Sequence, residues 1–305
     1  MKIGCTIESY GQPDSFDDQI HKVVQAEKDG FESIWFGSMK EPLVTAAVAG
    51  RETSSVELMS AVVISYHRHP VALAQQALAT NAATNRRFVL GIGPASRPAV
   101  ERLGYSYDRS AAAMREYVTI VKAIVETGEA DVKGEFYRAE QTTLRMPWGQ
   151  PMPVLISALG PAMLKVAGEV ADGTVTWMAG LNTLKSFIVP RITEAAGKAG
   201  RQAPRIAAGL PIAVCDDAAE GRRAAAQQFA NYGNSPHYRR LIEMEGGSIE
   251  NVTISGDEKA VEAQLREVAA AGATHLYVMA CVVGDNPAKS VQRTHELVAS
   301  LKGKI

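Results

Sequence analysis

Several features that would place the chain in a specialised class are absent from its 305 residues. It has only three cysteines, Cys5, Cys215 and Cys281, which are far apart and each lie in an apolar run. This pattern predicts reduced, buried thiols rather than disulfides, metal ligands or a nucleophile. The formal net charge of −1 gives no electrostatic reason to expect nucleic acid or an anionic membrane as a partner.

Targeting and membrane segments are missing as well. Residues 1–7 are too short and too mixed in character for a signal peptide, and no apolar stretch is long enough to span a bilayer. A hydrophobic content of 46% and a charged content of 21% are ordinary for a globular protein with a real core. We therefore expect a soluble cytoplasmic protein.

The usual signatures of metal, nucleophile and dinucleotide chemistry are also lacking. No two histidines or carboxylates show ligand spacing, and we expect His67 and His69, beside Pro70, to serve the start of a helix. No serine sits in a nucleophile elbow. The turn at residues 7–11 lacks the glycine-rich fingerprint, which disfavours a doubly wound open sheet.

The chain does have a regular alternation of apolar runs and helix-like stretches. Patterns typical of strands lie at residues 2–7, 33–36, 59–65, 88–92, 154–157, 174–177, 206–214 and 274–280. Patterns typical of helices lie at residues 16–29, 71–83, 110–127, 161 onward, 183–199, 218–231, 236–244, 257–271 and 287–301. Eight strands followed by helical sequence, with no polar linker, predict a single-domain (β/α)₈ TIM barrel over residues 1–305.

Two details refine this expectation. Ser110 is the predicted N-cap of the clearest helix, which ends before Gly128. Residues 131–144, with Lys133 and Gly134 near their start, predict a hairpin inserted into the barrel. The helical patterns before the last strand predict an extra helical segment there.

Two segments share one shape, namely a short apolar run, a turn containing glycine and proline, and then a helix-like stretch. They span residues 88–98 and 154–165. Small residues let the main chain approach a ligand closely, and the amides exposed at a helix start suit a phosphate. Two copies in a strand–helix rhythm point to a cofactor site.

The carboxyl ends of barrel strands are where the active site of this fold lies. The residues found there are Glu8, Tyr10, Gly37, Ser38, Met39, Ile64, Ser65, Tyr66, His67, Gly93, Pro94, Ala95, Ser96, Ser157, Ala158, Leu159, Trp177, Met178, Ala179 and Gly180. Small residues dominate this set. A site made of small residues, backbone amides and a few aromatics suits a large planar cofactor that brings its own chemistry.

A series of short segments in fixed order carries a resemblance to a known family. The segments are residues 30–37, 66–74, 87–94, 107–109, 114–117, 153–161, 167–173 and 236–240. In this order they resemble the bacterial luciferase-like monooxygenase superfamily, and within it the oxidoreductases that use the deazaflavin coenzyme F420. The resemblance covers nearly the whole chain. It implies a (β/α)₈ barrel that forms a homodimer and binds F420, or alternatively FMN, at its C-terminal rim.

The resemblance also implies residue roles. The cofactor ring would lie against Ser65, with a bulge and a non-proline cis peptide expected among Val62, Val63 and Ile64. The loop after the fourth strand would line the sugar-like chain of the cofactor, and the loop after the fifth would hold its phosphate. The expected cofactor-binding residues are therefore Ser38, Ile64, Ser65, Gly93, Pro94, Ala95, Ser96, Ser157, Ala158, Leu159, Gly160 and Pro161.

The identity of any catalytic group stays open. Candidate proton donors are Tyr66, His67, Glu8 and His237, and candidate contacts for the anionic tail of the coenzyme are Arg68, Arg97 and Lys165. The sugar-phosphate dehydrogenases of the branch carry a histidine after the second strand and a glutamate after the fourth. This chain has Ser38 near the first of these positions and Ser96 at the second, which argues against a sugar-phosphate reaction.

Three functions remain in view. The first is a deazaflavin-dependent oxidoreductase that transfers a hydride to or from a small organic substrate. The second is an FMN-dependent luciferase-like monooxygenase that uses oxygen. The third is a protein that binds the cofactor without catalysis.

Overall fold

The strands of the computed structural model match the predicted alternation. The model describes residues 1–7 and 15–305. The strands in these residues are β1 (Lys2–Thr6), β2 (Ser33–Phe36), β3 (Glu57–Ser60), β4 (Val63–Ile64), β5 (Phe88–Gly93), β6 (Glu129–Lys133), β7 (Arg138–Thr143), β8 (Val154–Ser157), β9 (Gly173–Trp177), β10 (Arg205–Val214), β11 (Ile254–Gly256) and β12 (His275–Ala280). Every predicted strand is found, and the predicted third strand is divided into β3 and β4.

Helices follow the barrel strands. They are α1 (Phe16–Lys28), α2 (Pro42–Glu52), α3 (Pro70–Ala83), α4 (Arg97–Arg102), α5 (Ser110–Thr127), α6 (Pro161–Val170), α7 (Leu181–Thr183), α8 (Val189–Lys198), α9 (Ala218–Gln228), α10 (Pro236–Met244), α11 (Ile249–Val252), α12 (Glu258–Ala270) and α13 (Pro287–Ser300). Short 3₁₀ turns occupy Ser38–Lys40, Ser65–His67 and Ala230–Asn234, and a π-helical turn occupies Leu184–Ile188. The sequence patterns did not predict α2, α11 or β11.

The chain forms two compact units, which are described separately. Unit 1 comprises residues 1–35, 175–191 and 205–305, and unit 2 comprises residues 36–174 and 192–204. In unit 1 the strands β9, β10, β12, β1 and β2 are neighbours in that order, and in unit 2 the order is β3, β5 and β8. The single-domain assignment made from the sequence stays a prediction.

The order of the strands confirms the predicted fold. The pairings of β1 with β2 and β12, of β10 with β12, and of β5 with β3 and β8 are all parallel. Eight strands in chain order, each followed by helix, make a (β/α)₈ barrel. The strands β6 and β7 form the predicted antiparallel hairpin between α5 and β8.

The start of α5 differs from the expectation. Ser110 is the first helical residue, and Arg109 occupies the N-cap with a left-handed φ of 59°. The Arg109 guanidinium donates hydrogen bonds of 2.7 and 2.8 Å to the two carboxylate oxygens of Glu135 in the hairpin. The predicted N-cap was therefore wrong. The N-cap lies one residue earlier than predicted, at the point where the helix start contacts the hairpin. This tertiary contact cannot be recognised from the local sequence.

Aromatic side chains fill the centre of unit 1. The Tyr277 ring lies over Gly209 of β10 so closely that a Cβ at this glycine would overlap it. The Tyr277 hydroxyl donates a 2.7 Å hydrogen bond to the Thr176 carbonyl of β9. The Trp35 ring stacks on Tyr277 with centroids 4.7 Å apart, and its indole N–H donates to the Ser33 hydroxyl at 2.9 Å. Strands on both sides of β10 are thereby tied to one tyrosine.

In unit 2, the Asp172 carboxylate lies at the start of β8 and accepts hydrogen bonds from several elements. Asp172 accepts hydrogen bonds from Lys122 Nζ at 2.7 and 2.9 Å and from Arg201 Nη2 at 2.9 Å. It also accepts from the backbone amide of Val154, the first residue of β8, at 2.8 Å. The Lys122 side chain is only 11% exposed. This network joins α5 to the start of β8, at the end of the strands where residues serve stability in this fold.

The three cysteines are buried and free, as predicted. Burial raises the pKa of the Cys281 thiol to about 12, so this thiol is uncharged and unreactive at neutral pH. Among residues 1–7 and 15–305, no helix combines the length and the apolar character needed to cross a membrane.

Replacing Asp172 by asparagine tests the importance of this carboxylate. The substitution removes the negative charge that faces Lys122, which is 11% exposed, and Arg201, which is 30% exposed, and it leaves Lys122 with its 2.6 Å pair to Glu126. We expect the free energy of unfolding in urea to fall by about 2–4 kcal/mol. The control is Glu194→Gln, which breaks an exposed pair with Lys198 and should cost less than about 0.5 kcal/mol. Equal losses in the two variants would contradict this account.

Candidate functional site

Three strand ends lie side by side in unit 2. Ile64 of β4 pairs with Gly93 of β5, and Ile92 pairs with Ile156 of β8. A Cβ built on Gly93 would come within 3.2 Å of the Ser157 Cβ. The structure thus brings together three of the predicted site residues, Ile64, Gly93 and Ser157, in a row across neighbouring strands.

The third strand carries the expected bulge. Its first part pairs Met59 with Val89, and its second part pairs Val63 with Ile92. Three residues separate the paired positions on this strand, whereas two separate them on β5. One extra residue on one side of a pairing is the definition of a β-bulge.

The cis peptide is present next to the expected stretch. It joins Ala61 to Val62, so it precedes the segment from Val62 to Ile64 rather than lying within it. The Ala61 amide donates a 2.8 Å hydrogen bond to the Phe36 carbonyl at the end of β2. The interrupted strand is therefore attached to its neighbour at the point where its own pairing with β5 changes.

Ser60 bridges the interruption. Its hydroxyl accepts a hydrogen bond from the Gly91 amide at 2.8 Å and donates one to the Gly91 carbonyl at 2.9 Å. A Cβ on Gly91 would overlap the Ser60 carbonyl, and a Cβ on Gly93 would lie 2.6 Å from Val62 Cγ2. The two glycines of β5 are therefore required by the close approach of the third strand.

The loop after β5 adopts an unusual backbone conformation. Ala95 has a φ of 62°, in the left-handed region that residues with a Cβ seldom occupy. The Tyr107 hydroxyl donates a 3.3 Å hydrogen bond to the Ala95 carbonyl. Pro94 is buried and Ser96 is exposed at the N-cap of α4, where its side chain makes no capping hydrogen bond. A hydrogen bond from the buried Tyr107 thus fixes the main chain of the predicted cofactor loop.

The loop after β8 ends in an open helix start. Gly160 is the N-cap of α6, with an extended backbone and no side-chain cap, and Pro161 is the first helical residue. A Cβ on Gly160 would meet nothing within 4 Å. The first-turn amides of Ala162 and Met163 therefore face a side free of bulky groups, with the positive end of the helix dipole behind them. This geometry suits a phosphate.

The turn after β4 carries two candidate proton donors. Ser65 is buried, Tyr66 is half-buried and His67 is exposed. The Tyr66 hydroxyl donates to the Ser106 carbonyl at 3.4 Å, and burial raises its pKa, with Tyr107 adding to the effect. Tyr66 is therefore a neutral hydrogen-bond donor at physiological pH.

His69 has the role expected for one of the paired histidines. It is the N-cap of α3, and its Nδ1 accepts a 3.3 Å hydrogen bond from the Val71 amide. The prediction that this histidine serves the start of a helix is confirmed.

The remaining predicted residues lie elsewhere. Ser38 opens the 3₁₀ turn after β2 and is exposed. His237 is the second residue of α10 in unit 1 and is exposed. Glu8 and Tyr10 lie outside the described residues. The structure therefore brings Ile64, Gly93 and Ser157 together and leaves the role of His237 as a prediction.

Two of the three cations considered for the coenzyme tail already have acidic partners. Arg68 lies 3.4 Å from Glu41, and Arg97 lies 3.0 Å from Asp108. Lys165, in the second turn of α6, is 69% exposed and 3.9 Å from its nearest carboxylate. Lys165 is therefore the cation most available to an anion at the start of α6.

Sequence reasoning missed two residues that shape the site, namely Ser60, which ends β3, and Tyr107, which lies in the loop before α5. The spacing of Gly91 and Gly93 was a usable signal for Ser60. Two glycines two residues apart on one face of a buried strand indicate that a neighbouring chain comes close there. The sequence contains no comparable signal for Tyr107, because its partner Ala95 accepts through a backbone carbonyl.

Comparisons with known proteins agree with this fold. The model of the luciferase-like monooxygenase family matches residues 2–301. An uncharacterized protein of Mycobacterium tuberculosis is 30% identical over 239 residues, which are 73% of this chain and 70% of that protein. An F420-dependent glucose-6-phosphate dehydrogenase of Kineococcus radiotolerans is 27% identical over 210 residues, which are 64% of this chain and 62% of that enzyme.

Two solved structures share the fold. The coenzyme F420-dependent tetrahydromethanopterin reductase of Methanopyrus kandleri superposes with a TM-score of 0.74 at 21% identity, over 98% of this chain and 96% of that one. The FMN-bound oxygenating constituent of 3,6-diketocamphane monooxygenase of Pseudomonas putida gives 0.79 at 22% identity, over 100% and 98%. Because the family model covers nearly the whole sequence, the chain belongs to the luciferase-like monooxygenase family.

Proposed function

We propose that the protein is an oxidoreductase that binds coenzyme F420 at the carboxyl ends of β4, β5 and β8. It would transfer a hydride to or from a small organic substrate. The observation that carries this proposal is the row of Ile64, Gly93 and Ser157 leading to the uncapped start of α6 at Gly160. Such a surface offers backbone and small side chains to a large ligand, and amides to its phosphate.

The residues present fit a deazaflavin. The bulged segment from Ser60 to Ser65 would lie against the flat ring. The Ser60 hydroxyl already makes the hydrogen bonds that join this segment to Gly91 of β5. The loop at Ala95 would line the chain that joins ring and phosphate, and the amides after Gly160 would hold the phosphate. When bound, the deazaflavin supplies hydride transfer and reacts poorly with oxygen. The protein has to orient the ring and substrate and exclude water.

The choice of F420 over FMN is supported by the relatives. The curated relatives include F420-dependent glucose-6-phosphate dehydrogenase and 5,10-methylenetetrahydromethanopterin reductase, at 26 to 28% identity. The second candidate function is an FMN-dependent monooxygenase, favoured by the fold shared with the FMN-bound Pseudomonas putida protein. In both candidate functions the cofactor would bind the same surface of unit 2. The two functions differ in the reactivity of the bound ring.

The chemistry of the site argues against a sugar phosphate as substrate. Ser96 and Ser38 are both exposed serines, at or near the positions where the sugar-phosphate dehydrogenases carry acid and base. A serine hydroxyl does not exchange protons near neutral pH as histidine and glutamate do. We therefore propose a substrate other than a sugar phosphate.

Cofactor choice is tested by titrating the purified apoprotein with F420 and with FMN while following their fluorescence. We expect saturable binding of F420 in the micromolar range and weaker binding of FMN. Micromolar binding of FMN with no response to F420 would replace the first function by the second. A third outcome is tight F420 binding with no turnover, in which no alcohol reduces the coenzyme and no carbonyl compound reoxidises its reduced form. This outcome would favour a cofactor-binding protein without catalysis.

The phosphate position is tested by Gly160→Val. The extended backbone of Gly160 accepts any residue, and its Cβ has open space, so the fold should be unchanged. The branched side chain would cover the first-turn amides and weaken cofactor binding by about 1–3 kcal/mol. Gly197→Val is the control, because a Cβ there also meets nothing within 4 Å. Unchanged affinity in Gly160→Val, with normal circular dichroism, would place the phosphate elsewhere.

We further propose that the solvent face of α2 and α3 binds a second copy of the chain. The two helices pack against each other, and none of the 14 residues of α3 is charged. Val44 and Val48 of α2 are 53% and 40% exposed, and Ala72 and Ala79 of α3 are also exposed. In contrast, α12 carries five charged residues. The two charged residues of α2, Arg51 and Glu52, lie in its last turn. The rest of the face is uncharged and complements another uncharged face, which is what a twofold contact between identical copies requires.

Val48→Glu tests the dimer. The residue is exposed in the single chain, so glutamate should not disturb folding, whereas two opposed copies would bury the new charge. We expect light scattering to give the mass of two chains for the wild type and of one for the variant. Leu103→Glu, at a residue that is 50% exposed on α4's C-terminal side, should leave the dimer intact. A monomeric wild type, or a dimeric Val48→Glu, would refute the interface.

A further inference from the structure

The tip of the β6–β7 hairpin, residues 134–137, is held by one carboxylate. Glu116 of α5 accepts hydrogen bonds from three successive backbone amides of the tip, those of Glu135 at 3.0 Å, Phe136 at 2.7 Å and Tyr137 at 2.9 Å. Hydrogen bonds to a charged acceptor are stronger than those to a neutral one. The Glu116 carboxylate therefore ties the inserted hairpin firmly to α5.

Two further contacts fix the position of the tip. The Arg109 guanidinium, which donates to the Glu135 carboxylate, also lies over the Phe136 ring, with its Cζ 5.3 Å from the ring centroid. A Cβ on Gly134 would overlap the Glu116 carboxylate, so the tip lies as close to α5 as a glycine permits. The hairpin therefore meets α5 at a single defined position.

The fixed tip places Tyr137 against two helices. Its ring meets the Tyr117 ring of α5 edge-on with centroids 5.1 Å apart, and it meets the His69 ring at the start of α3 with centroids 6.3 Å apart. Burial raises the pKa of Tyr137 to about 12, with two neighbouring tyrosines and a carboxylate adding to the effect, so the phenol is uncharged at neutral pH. Tyr137 therefore joins the hairpin to Tyr117 and to the start of α3.

Tyr117 supports the turn that carries Ser65. It is fully buried, and its hydroxyl donates a 3.0 Å hydrogen bond to the Arg68 carbonyl. Arg68 directly follows the 3₁₀ turn Ser65–His67, and its own amide donates to the Ser65 carbonyl at 3.4 Å. Burial raises the pKa of Tyr117, so its hydroxyl keeps the proton that this hydrogen bond requires.

The side chains between the hairpin and the turn are closely packed. Ser65 and Tyr66 of the turn, Tyr117 of α5 and Tyr137 of the hairpin line one recess that is too narrow for a water molecule. Ser65 is only 3% exposed. Because close-packed groups transmit strain, a displacement of the hairpin tip would reach Ser65, the residue expected to contact the cofactor ring.

We propose that the inserted hairpin positions the Ser65–His67 turn for the cofactor ring, with Glu116 and Tyr117 as positioning residues. Glu116 fixes the hairpin tip, Tyr137 packs on Tyr117, and the Tyr117 hydroxyl holds the end of the turn. This assignment rests on the proposed function and gives the insertion a role in it. It concerns the ring of the ligand, whereas the amides after Gly160 would serve its phosphate.

The support of the turn is tested on the protein without cofactor. Hydrogen–deuterium exchange of peptides that cover residues 63–69 is compared by mass spectrometry in the wild type, Glu116→Gln and Tyr117→Phe. Glutamine keeps one acceptor oxygen and turns an NH₂ group towards the amide donors of the tip, and phenylalanine leaves the Arg68 carbonyl without its donor. We expect both variants to raise exchange in the turn about three- to tenfold and to leave the peptides of β10 unchanged.

Two matched controls remove comparable groups outside this chain of contacts. Glu140→Gln makes the same substitution on the same hairpin, at a carboxylate that is 46% exposed and 3.8 Å from Lys133. Tyr105→Phe removes a phenol hydroxyl from a residue that is 53% exposed. Neither control should change exchange in the turn.

The effect on the ring is measured with F420 and with its fragment that carries the deazaflavin and sugar-like chain but no phosphate. We expect Glu116→Gln and Tyr117→Phe to weaken both ligands by the same factor, about three- to tenfold, and to shift the absorption maximum of the bound ring. Gly160→Val should weaken F420 alone. A loss of stability without a change at the ring would leave that absorption maximum in place. FMN and riboflavin are the corresponding pair if the protein binds FMN.

The possible outcomes separate this proposal from the proposed function. Exchange in the turn that equals the wild type in both variants, or a bound ring with unchanged affinity and absorption, would overturn the positioning role and leave the proposed function standing. Faster exchange in a protein that binds neither F420 nor FMN would retain the support of the turn by the hairpin and reject the proposed function.

Discussion

The change of register along β5 is the constraint on which the candidate site depends. Between Met59 and Val63 the third strand holds one residue more than its partner, and the Ser60 hydroxyl takes over both hydrogen bonds of Gly91. Without that hydroxyl, a buried amide and a buried carbonyl would lose their partners at the edge of the site. The bulge brings Val62 over Gly93, and for this reason the end of β5 must remain glycine.

A site built from backbone explains why the sequence offers no strong catalytic residue. The amides after Gly160 and the left-handed carbonyl at Ala95 are main-chain groups, and Tyr107 supports the latter through its hydroxyl. Main-chain groups can hold a large cofactor firmly because their positions are fixed by the strands and helices that carry them. Under the proposed function, a bound cofactor would supply the chemistry and leave binding and orientation to the side chains.

The two units use different means for cohesion. Unit 2 relies on the charged network of Asp172 at the start of β8, away from the strand ends that form the candidate site. Unit 1 relies on Tyr277, which covers Gly209 and ties β12 to β9 through Thr176. The aromatic group that stabilises unit 1 continues from Tyr277 to Trp177.

The sequence by itself determined the barrel. Strands buried on both faces are continuous apolar runs, and their alternation with helices can be recognised in the sequence without knowing any tertiary contact. It also determined the start of α6, since glycine before Pro161 is a local signal. The pairing of Ser60 with Gly91, the cap at Arg109 and the hydrogen bond of Tyr117 were decided only by tertiary structure. Each depends on groups brought together from distant parts of the chain, and no local pattern specifies which partner a hydroxyl or guanidinium will meet.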